Sequence, residues 1–524
     1  MHRKHVISVL AVLAVASPLA SCSSPDPSAA PVLTVALSAD PRCLDPHQAP
    51  YTEALHVGRQ LVDTLTDQDP DTGDIVPSIA ESWTVSSEAT HYEFVLRQGV
   101  SFSDGAVLDA SAVVRNFQDL IDLGAESPFG ASYTKDLAAV TAVDEQTVAF
   151  EFSAPSAQFL QATSMVTTGL LSPDTLDRSP DDRCAGALAG TGPFVFDEYT
   201  PNESVTLSSR KDYDWASSRS GRTGASELSG IEFVVMPEAG VRNGALRSGQ
   251  IDIDTDVRPE SEVGLDEQGA TVLSRPRPGM GYTLLPNVTS TLLADPSVRV
   301  ALGKAIDRPA LDAVLSVHEQ HATSVLSSST PMYKNIFENL SYDPQGAEAQ
   351  LDAAGWTVQP GQTVRTKDGI RLAPRLVYAN TDTRADVYQV IQQQLNAIGV
   401  DLQLAPMAAG GVEEATTRGV YEFLSWAITR PDPEALNTVF RLTSSNPNRR
   451  ESPSDIDSAL EDLSRSANPE ARRSATNTAV GELLSQGLAL PLFEQAAVIG
   501  VAPSVDGITL DASSRPLFYE TSIR

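Results

Sequence analysis

A strand–helix–strand run near residue 390 most constrains how this 524-residue chain can fold. Pro374 to Ala379 is a short apolar run of β-formers. From Asp386 to Ile398, Val387, Val390, Ile391, Leu395 and Ile398 recur at the spacing of one helix face. Gly399 follows as a terminator. Val400 to Leu404 then alternates apolar and polar, as a half-buried strand does. Such a βαβ unit implies parallel pairing within an α/β sheet. A second helix is predicted from its cap Asp295, with Val298, Ala301, Leu302, Ala305 and Ile306 on one stripe. Residues 75–107 read differently. Tyr92, Phe94 and Leu96 alternate against His91, Glu93, Val95 and Arg97, so the N-terminal part is predicted to be richer in strands. The length allows two or three domains. A composition 41% hydrophobic and 20% charged can bury a large core.

The first 22 residues set the location of the rest. Arg3 and Lys4 give a basic start, Val6 to Leu19 is almost unbroken apolar sequence, and a polar stretch follows Leu19-Ala20-Ser21-Cys22. A charged start, an apolar core and a small-residue exit make a secretory signal. The core is shorter than the roughly 20 residues that span a bilayer. The order L-A-S-C resembles a bacterial lipobox. That resemblance implies a signal peptide over 1–21, lipid on Cys22 and a linker over 22–32. The protein is then anchored to the outer face of a cell membrane, in the periplasmic space or cell-wall zone. The alternative is an ordinary signal peptide that happens to hold a cysteine. The net charge of −31 argues against a nucleic-acid partner, since phosphates would be repelled.

Two cysteines remain, Cys43 and Cys184. In an oxidising compartment an isolated pair reads as a disulfide, the alternative being two buried free thiols. No C-x-x-C exists; His318 and His321 could share a helix face, but a solvated helix end is the simpler reading, so no metal or cofactor is expected. There is no G-x-S-x-G, Walker loop or H-E-x-x-H, so no enzyme is indicated. Gly190-Thr191-Gly192 is too short to cradle phosphate and reads as a tight turn.

Seven segments, in order along the chain, resemble family 5 extracellular solute-binding proteins, the ligand-capture subunits of bacterial ABC importers for oligopeptides, dipeptides and nickel. They are Leu44-Asp45-Pro46-His47; Pro77 to Trp83 (P-x-L-A-E-x-W); Phe94 to Gly105 (F-x-L-R-x-G-V-x-F-x-D-G); Gly190 to Phe194 (G-T-G-P-F), with Arg210, Tyr213 and Trp215 after it; Leu246 to Asp252 (L-x-S-G-x-I-D); Val298 to Leu302; and Ala305 to Arg308. The resemblance implies an α/β, two-lobed fold of the type II periplasmic-binding-protein kind, with an extra β-rich subdomain in the first lobe. The implied first lobe is 33–280, with the subdomain over about 59–190 and a return over 491–524. The second lobe is 281–490. The chain should cross between lobes near Tyr282–Asn287 and Pro491–Gln495. Trp83, Phe94 and Phe194 are expected in the core, and Asp307 and Arg308 are expected to pair locally.

Substrate information should lie at Ser425 to Pro433, which resembles W-x-x-D-Y-x-D-P of peptide-binding relatives. There the first aspartate holds the peptide α-ammonium. Trp426 and the closing Asp432-Pro433 align, but Thr429 stands where that acid should be and Arg430 replaces the tyrosine. Threonine cannot neutralise a buried cation. Arg430 either faces an anionic ligand, which a guanidinium binds bidentately, or points to solvent or pairs with Glu434. Arg384 sits where some dipeptide-binding relatives place an arginine for the ligand carboxylate. The expected ligand-binding set is therefore Trp426, Thr429, Arg430 and Arg384. The expected ligand is a peptide, with a siderophore, opine or glycoside as the alternative. The expected partners are a permease and an ATPase, and the protein is expected to be a monomer. A sensor or adhesion protein of the same fold is the other functional class.

Overall fold

The computed structural model describes residues 30–49, 51–262, 264–265, 269–380 and 384–524; the segment expected to be a signal peptide, and Cys22, lie outside the described residues. Two large sheets organise the molecule. The first has seven strands, in the spatial order Thr271–Pro276, Ala496–Val501, Ile253–Asp254, Val32–Leu37, Gly230–Val235, Ser204–Ser209 and Phe194–Thr200. The second has six, in the order Gln320–His321, Leu490–Glu494, Gly279–Pro286, Phe423–Thr429, Arg375–Ala379 and Gln403–Met407. The chain passes from one sheet to the other between Pro276 and Gly279, and back at Gln495. Tyr282 to Pro286 belong to a strand of the second sheet, so the first passage lies ahead of the expected Tyr282–Asn287 segment.

The strand–helix–strand run forms in the second sheet. Arg375–Ala379 pairs in parallel with Gln403–Met407, joined through helix Ala385–Ala397. Val387, Ile391 and Leu395 are the buried face of that helix, and Gly399 closes it at a φ of +81°. Val400 stays outside the ladder because its N–H caps the helix by donating to the Leu395 carbonyl. Helix Pro296–Lys304 starts where its cap predicts, with the Asp295 carboxylate accepting from the Ser297 N–H.

A four-stranded antiparallel sheet, Ala80–Val85, His91–Leu96, Thr147–Phe152 and Leu137–Ala142, makes the inserted β-rich subdomain. Tyr92, Phe94 and Leu96 point into its core beside Phe117, Phe150 and Phe159. The Phe94, Phe117, Phe150 and Phe159 rings meet edge-on or tilted, a geometry that aromatic quadrupoles favour. Phe194 is buried and Trp83 partly buried.

Several motif residues turn out to be structural. Gly190 and Gly192 serve close approach rather than a turn. A Cβ on either would lie within 2.4 Å of the Leu61 main chain, at the end of helix Thr52–Leu61. The Gly192 N–H donates to the Leu61 carbonyl at 2.9 Å. Arg308 does not pair with Asp307. Its buried guanidinium donates to the carbonyls of Pro491 at 2.7 Å and Leu340 at 2.9 Å, and burial lowers its pKa to about 10. Cys43 and Cys184 are joined by a disulfide with Cα atoms 4.0 Å apart. Beside it, the buried Arg183 guanidinium lies 3.1 Å from Asp45 and 3.0 Å from Asp119. His318 lies in a turn and His321 in the short strand Gln320–His321, bonded to Asp312 at 2.9 Å, so the two do not share a helix face.

Candidate ligand-binding site between the lobes

The two lobes and the inserted subdomain meet along a boundary that polar side chains bridge. Gln68 of the first lobe donates to the Pro431 carbonyl at 3.0 Å. The Ala157 N–H of the subdomain donates to the Ser464 carbonyl at 2.9 Å. Arg430 is the largest bridge. It follows the strand Phe423–Thr429, and its guanidinium donates to Thr438 at 2.8 Å in its own lobe and to Ser132 and Gln158 in the subdomain. Its charge sits 4.8 Å above the Tyr133 ring, a cation–π contact. It makes no ion pair with Glu434, although both border a cleft of about 400 Å³ between the subdomain and the second lobe.

The neighbouring acids are engaged to different degrees. Asp432 is buried and takes a two-pronged ion pair from Arg472, at 2.8 and 3.1 Å. Glu434 is buried too, and accepts from Ser464 at 2.7 Å and Asn437 at 2.9 Å. Burial, then the Asp432 charge beside it, pushes the Glu434 carboxyl up. Asp432 is thus fully taken, whereas Glu434 keeps Oε2 buried without a hydrogen-bond partner among the described residues.

Trp426 is partly buried against the second lobe's smaller core cluster, where Met280, Leu285 and Val439 lie. Thr429 is half-buried, pairs with Gly279 across the strands, and its hydroxyl has no hydrogen bond among the described residues. Arg384 immediately precedes helix Ala385–Ala397, and its side chain makes no cap hydrogen bond there. Its guanidinium grips Glu319 at 2.7 and 2.9 Å and lies over the stacked rings of Tyr282 and Phe493. The structure thus places Thr429 and Arg430 at the lobe boundary and gives Arg384 a protein carboxylate as its partner. Cys22 lies outside the described residues.

Sequence reasoning missed three residues at the hinge end of the boundary: His56, Arg277 and Arg515. Arg277 lies on the first passage between sheets and Arg515 on the C-terminal tail. Ser514 donates to the Pro276 carbonyl at 3.0 Å, which pins tail to passage. Gln60 donates to the Pro516 carbonyl at 3.0 Å, which pins the tail to the helix that carries His56. Arg515 and His56 are 5% and 4% exposed, too little to be hydrated as surface groups. Tyr133 is buried between Arg430 and Arg515, and feels both charges. The only sequence signal for these residues was weak: Arg277 and Arg515 each precede a proline, which favours extended backbone.

The sequence profile described as "Bacterial extracellular solute-binding proteins, family 5 Middle" matches residues 74–449, well over half of the chain. This chain is a family 5 solute-binding protein. The family 5 assignment agrees with individual relatives. The probable di/tripeptide-binding protein 5 of Pseudomonas aeruginosa is 25% identical over 526 residues, covering 95% of this chain and 97% of that one. The nickel-binding periplasmic protein of Escherichia coli is 26% identical over 408 residues, covering 76% and 74%. Among solved structures, NikA from Brucella suis in complex with Fe(III)-EDTA superposes with a TM-score of 0.82 at 23% identity, covering 94% of this chain and all of that one. The fold is therefore the two-lobed type II kind. These relatives are named as binding proteins, and family 5 proteins are extracytoplasmic. No helix among the described residues is long and apolar enough to cross a membrane.

Proposed function

We propose that this chain is the lipid-anchored, non-catalytic capture subunit of an ABC importer, working as a monomer outside the cytoplasm. It closes two lobes over one small solute and presents the closed form to a permease driven by an ATPase. Cys22 carries the anchor, and the bodies that close are those over 33–280 with 491–524, and over 281–490. The observation that carries the reading is the boundary itself. Two large sheets are joined by two short passages and bridged by side chains such as Arg430, which is how a hinge protein reads out closure.

A peptide is the solute class that the relatives' names favour. A non-amine solute, such as a siderophore, opine or glycoside, is favoured by a specific observation. Thr429 stands where the acid of peptide-binding relatives would be, and Asp432 is taken by Arg472, which leaves only the buried Oε2 of Glu434 without a hydrogen-bond partner. Trp426, Thr429 and Arg430 are the residues we assign to the ligand side of the second lobe, with Arg384 as a support that steadies Glu319 and the aromatic pair. Native mass spectrometry of the protein purified from its own host tests the reading. A co-purified small solute is expected, and repeated recovery of solute-free protein would contradict capture. Cys22→Ser should move the protein from the membrane to the soluble exported fraction; retention on the membrane would contradict the anchor.

A further inference from the structure

His56, Arg277 and Arg515 do not complete one another. The Arg515 guanidinium makes no hydrogen bond among the described residues, and its Nε and Nη1 are buried without a partner. Its nearest carboxylate, Asp511, is 3.9 Å away, beyond hydrogen-bond reach. Asp511 is itself held by the N–H groups of Ser513 and Arg515, at 2.8 and 2.9 Å. The Arg277 guanidinium likewise has no hydrogen bond or ion pair among the described residues. The two acids whose charge reaches it are taken: Glu53 accepts from Ser38 at 2.8 Å, and Asp256 pairs with Arg258 at 2.9 Å. The His56 ring has no hydrogen-bond partner among the described residues either, and its Nδ1 is buried and bare.

A protein of net charge −31 has acids to spare, so this is not a shortage of partners. Leaving buried donors unmade is costly, and leaving a buried charge unpaired costs more. Arg472 with Asp432, Arg242 with Asp254 and Arg308 with carbonyls are held by short bonds; Arg183, Arg430 and Arg450 each leave only Nε bare, whereas Arg515 leaves both Nε and Nη1. The residue before Arg515, Ser514, holds a φ of +64°, an uncommon backbone for a residue other than glycine.

The geometry points to an oxyanion seat at the hinge end of the inter-lobe boundary, in which Arg277 and Arg515 together grip a carboxylate of the captured solute and His56 donates a further hydrogen bond. Planar guanidinium forks match a carboxylate bidentately, and each charge-assisted bond is stronger than a neutral one. Burial, then the charges of Arg515 and Arg277, holds the His56 pKa well below its usual value, so the ring is a neutral donor rather than a third cation. A carboxylate on a peptide, opine or siderophore carries the same group. The inference rests on the capture reading for its biological ligand, but not for its test.

Sodium malonate is the probe, compared with sodium chloride at equal ionic strength by thermal unfolding of the full chain. Malonate should raise the wild-type Tm above the chloride value. Arg277→Met and Arg515→Met should each weaken malonate roughly 10- to 100-fold, the scale of losing hydrogen bonds to a charged group. Arg277→Lys keeps charge but loses the fork, and carries the same test should Arg277→Met not fold; it is expected to bind malonate more weakly than wild type. No malonate shift in wild type, or an equal shift in wild type and all variants, would overturn the seat. A solute recovered by native mass spectrometry without any malonate response removes the seat and leaves capture standing. A malonate response lost in the variants, with no solute ever recovered, supports the seat and removes capture.

Discussion

Asp432 with Arg472 and Arg277 with Arg515 are two sets of charge near one boundary, and they are finished differently. The first is a closed pair. Both side chains are buried, both prongs are made, and the Arg472 Nε donates to the Leu463 carbonyl at 3.3 Å. The second is two like charges: Arg515 is buried with Nε and Nη1 open, and the half-buried Arg277 guanidinium has no hydrogen bond or ion pair among the described residues. A closed pair stabilises geometry within the second lobe, holding the turn after Thr429. An open pair costs stability, and that cost is recovered only when something anionic arrives. The comparison separates a structural acid, which aligns with the relatives' D-P, from groups that face a ligand.

The largest effect should come from breaking the closed set. Asp432→Ala strands a buried guanidinium and should cost about 3–5 kcal/mol in denaturant unfolding. Replacing both partners by apolar residues, Asp432→Leu with Arg472→Met, should cost far less; a double variant as unstable as the single one would mean that packing, not charge, holds the turn.

Asp63 is an intermediate case. It lies half-buried in the first lobe, accepting from Tyr213 and Trp215 at 3.1 Å each, and desolvation pushes its pKa up to about 7 against the partial relief given by Arg59 and those donors. An acid whose folded pKa is raised binds a proton more tightly in the folded state. Stability is then fully present below about pH 4 for this group and declines as pH rises to about 7, by up to about 4 kcal/mol in the dry limit. Asp63→Asn should flatten that part of the pH–stability profile; an unchanged slope would show that the carboxyl is hydrated.

The open set should respond in the opposite sense to the closed one. Arg277→Met removes a half-buried cation with no ion pair among the described residues, so stability in chloride should stay level or rise by about 1 kcal/mol or less. A loss of several kcal/mol would reveal a structural pairing. The smallest effect concerns the ligand amine. If the solute is a peptide, N-acetylation should change its calorimetric affinity by less than about 1 kcal/mol, since Thr429 stands in place of the acid that would pair with the amine. A loss above about 3 kcal/mol would show a stranded charge and return the role to an acid such as Glu434.

Much of the fold was legible in the sequence because periodicity and caps are local signals. The alternation at Tyr92, Phe94 and Leu96 and the stripe on helix Ala385–Ala397 report burial directly. The glycines at 190 and 192 were read as a turn because nothing local announces a helix end 130 residues away in sequence. The site was less legible for the same reason. Arg430 is visible as a departure from a motif, but its partners Ser132 and Gln158 belong to another part of the chain. Arg277 and Arg515 are distinguished only by what they fail to touch, and a missing contact leaves no mark on sequence. His56 sits on a helix whose apolar pattern gives no hint of an unbonded ring.

A crystal structure of the protein purified from its host with its own solute bound tests the central claim most directly. The expected result is density between the lobes with an oxyanion within hydrogen-bond distance of both the Arg277 and Arg515 guanidinium groups, and Asp432 still paired with Arg472. Density for a solute held elsewhere, for example in the cleft beside Arg441 and Lys135, with Arg277 and Arg515 untouched, would contradict it.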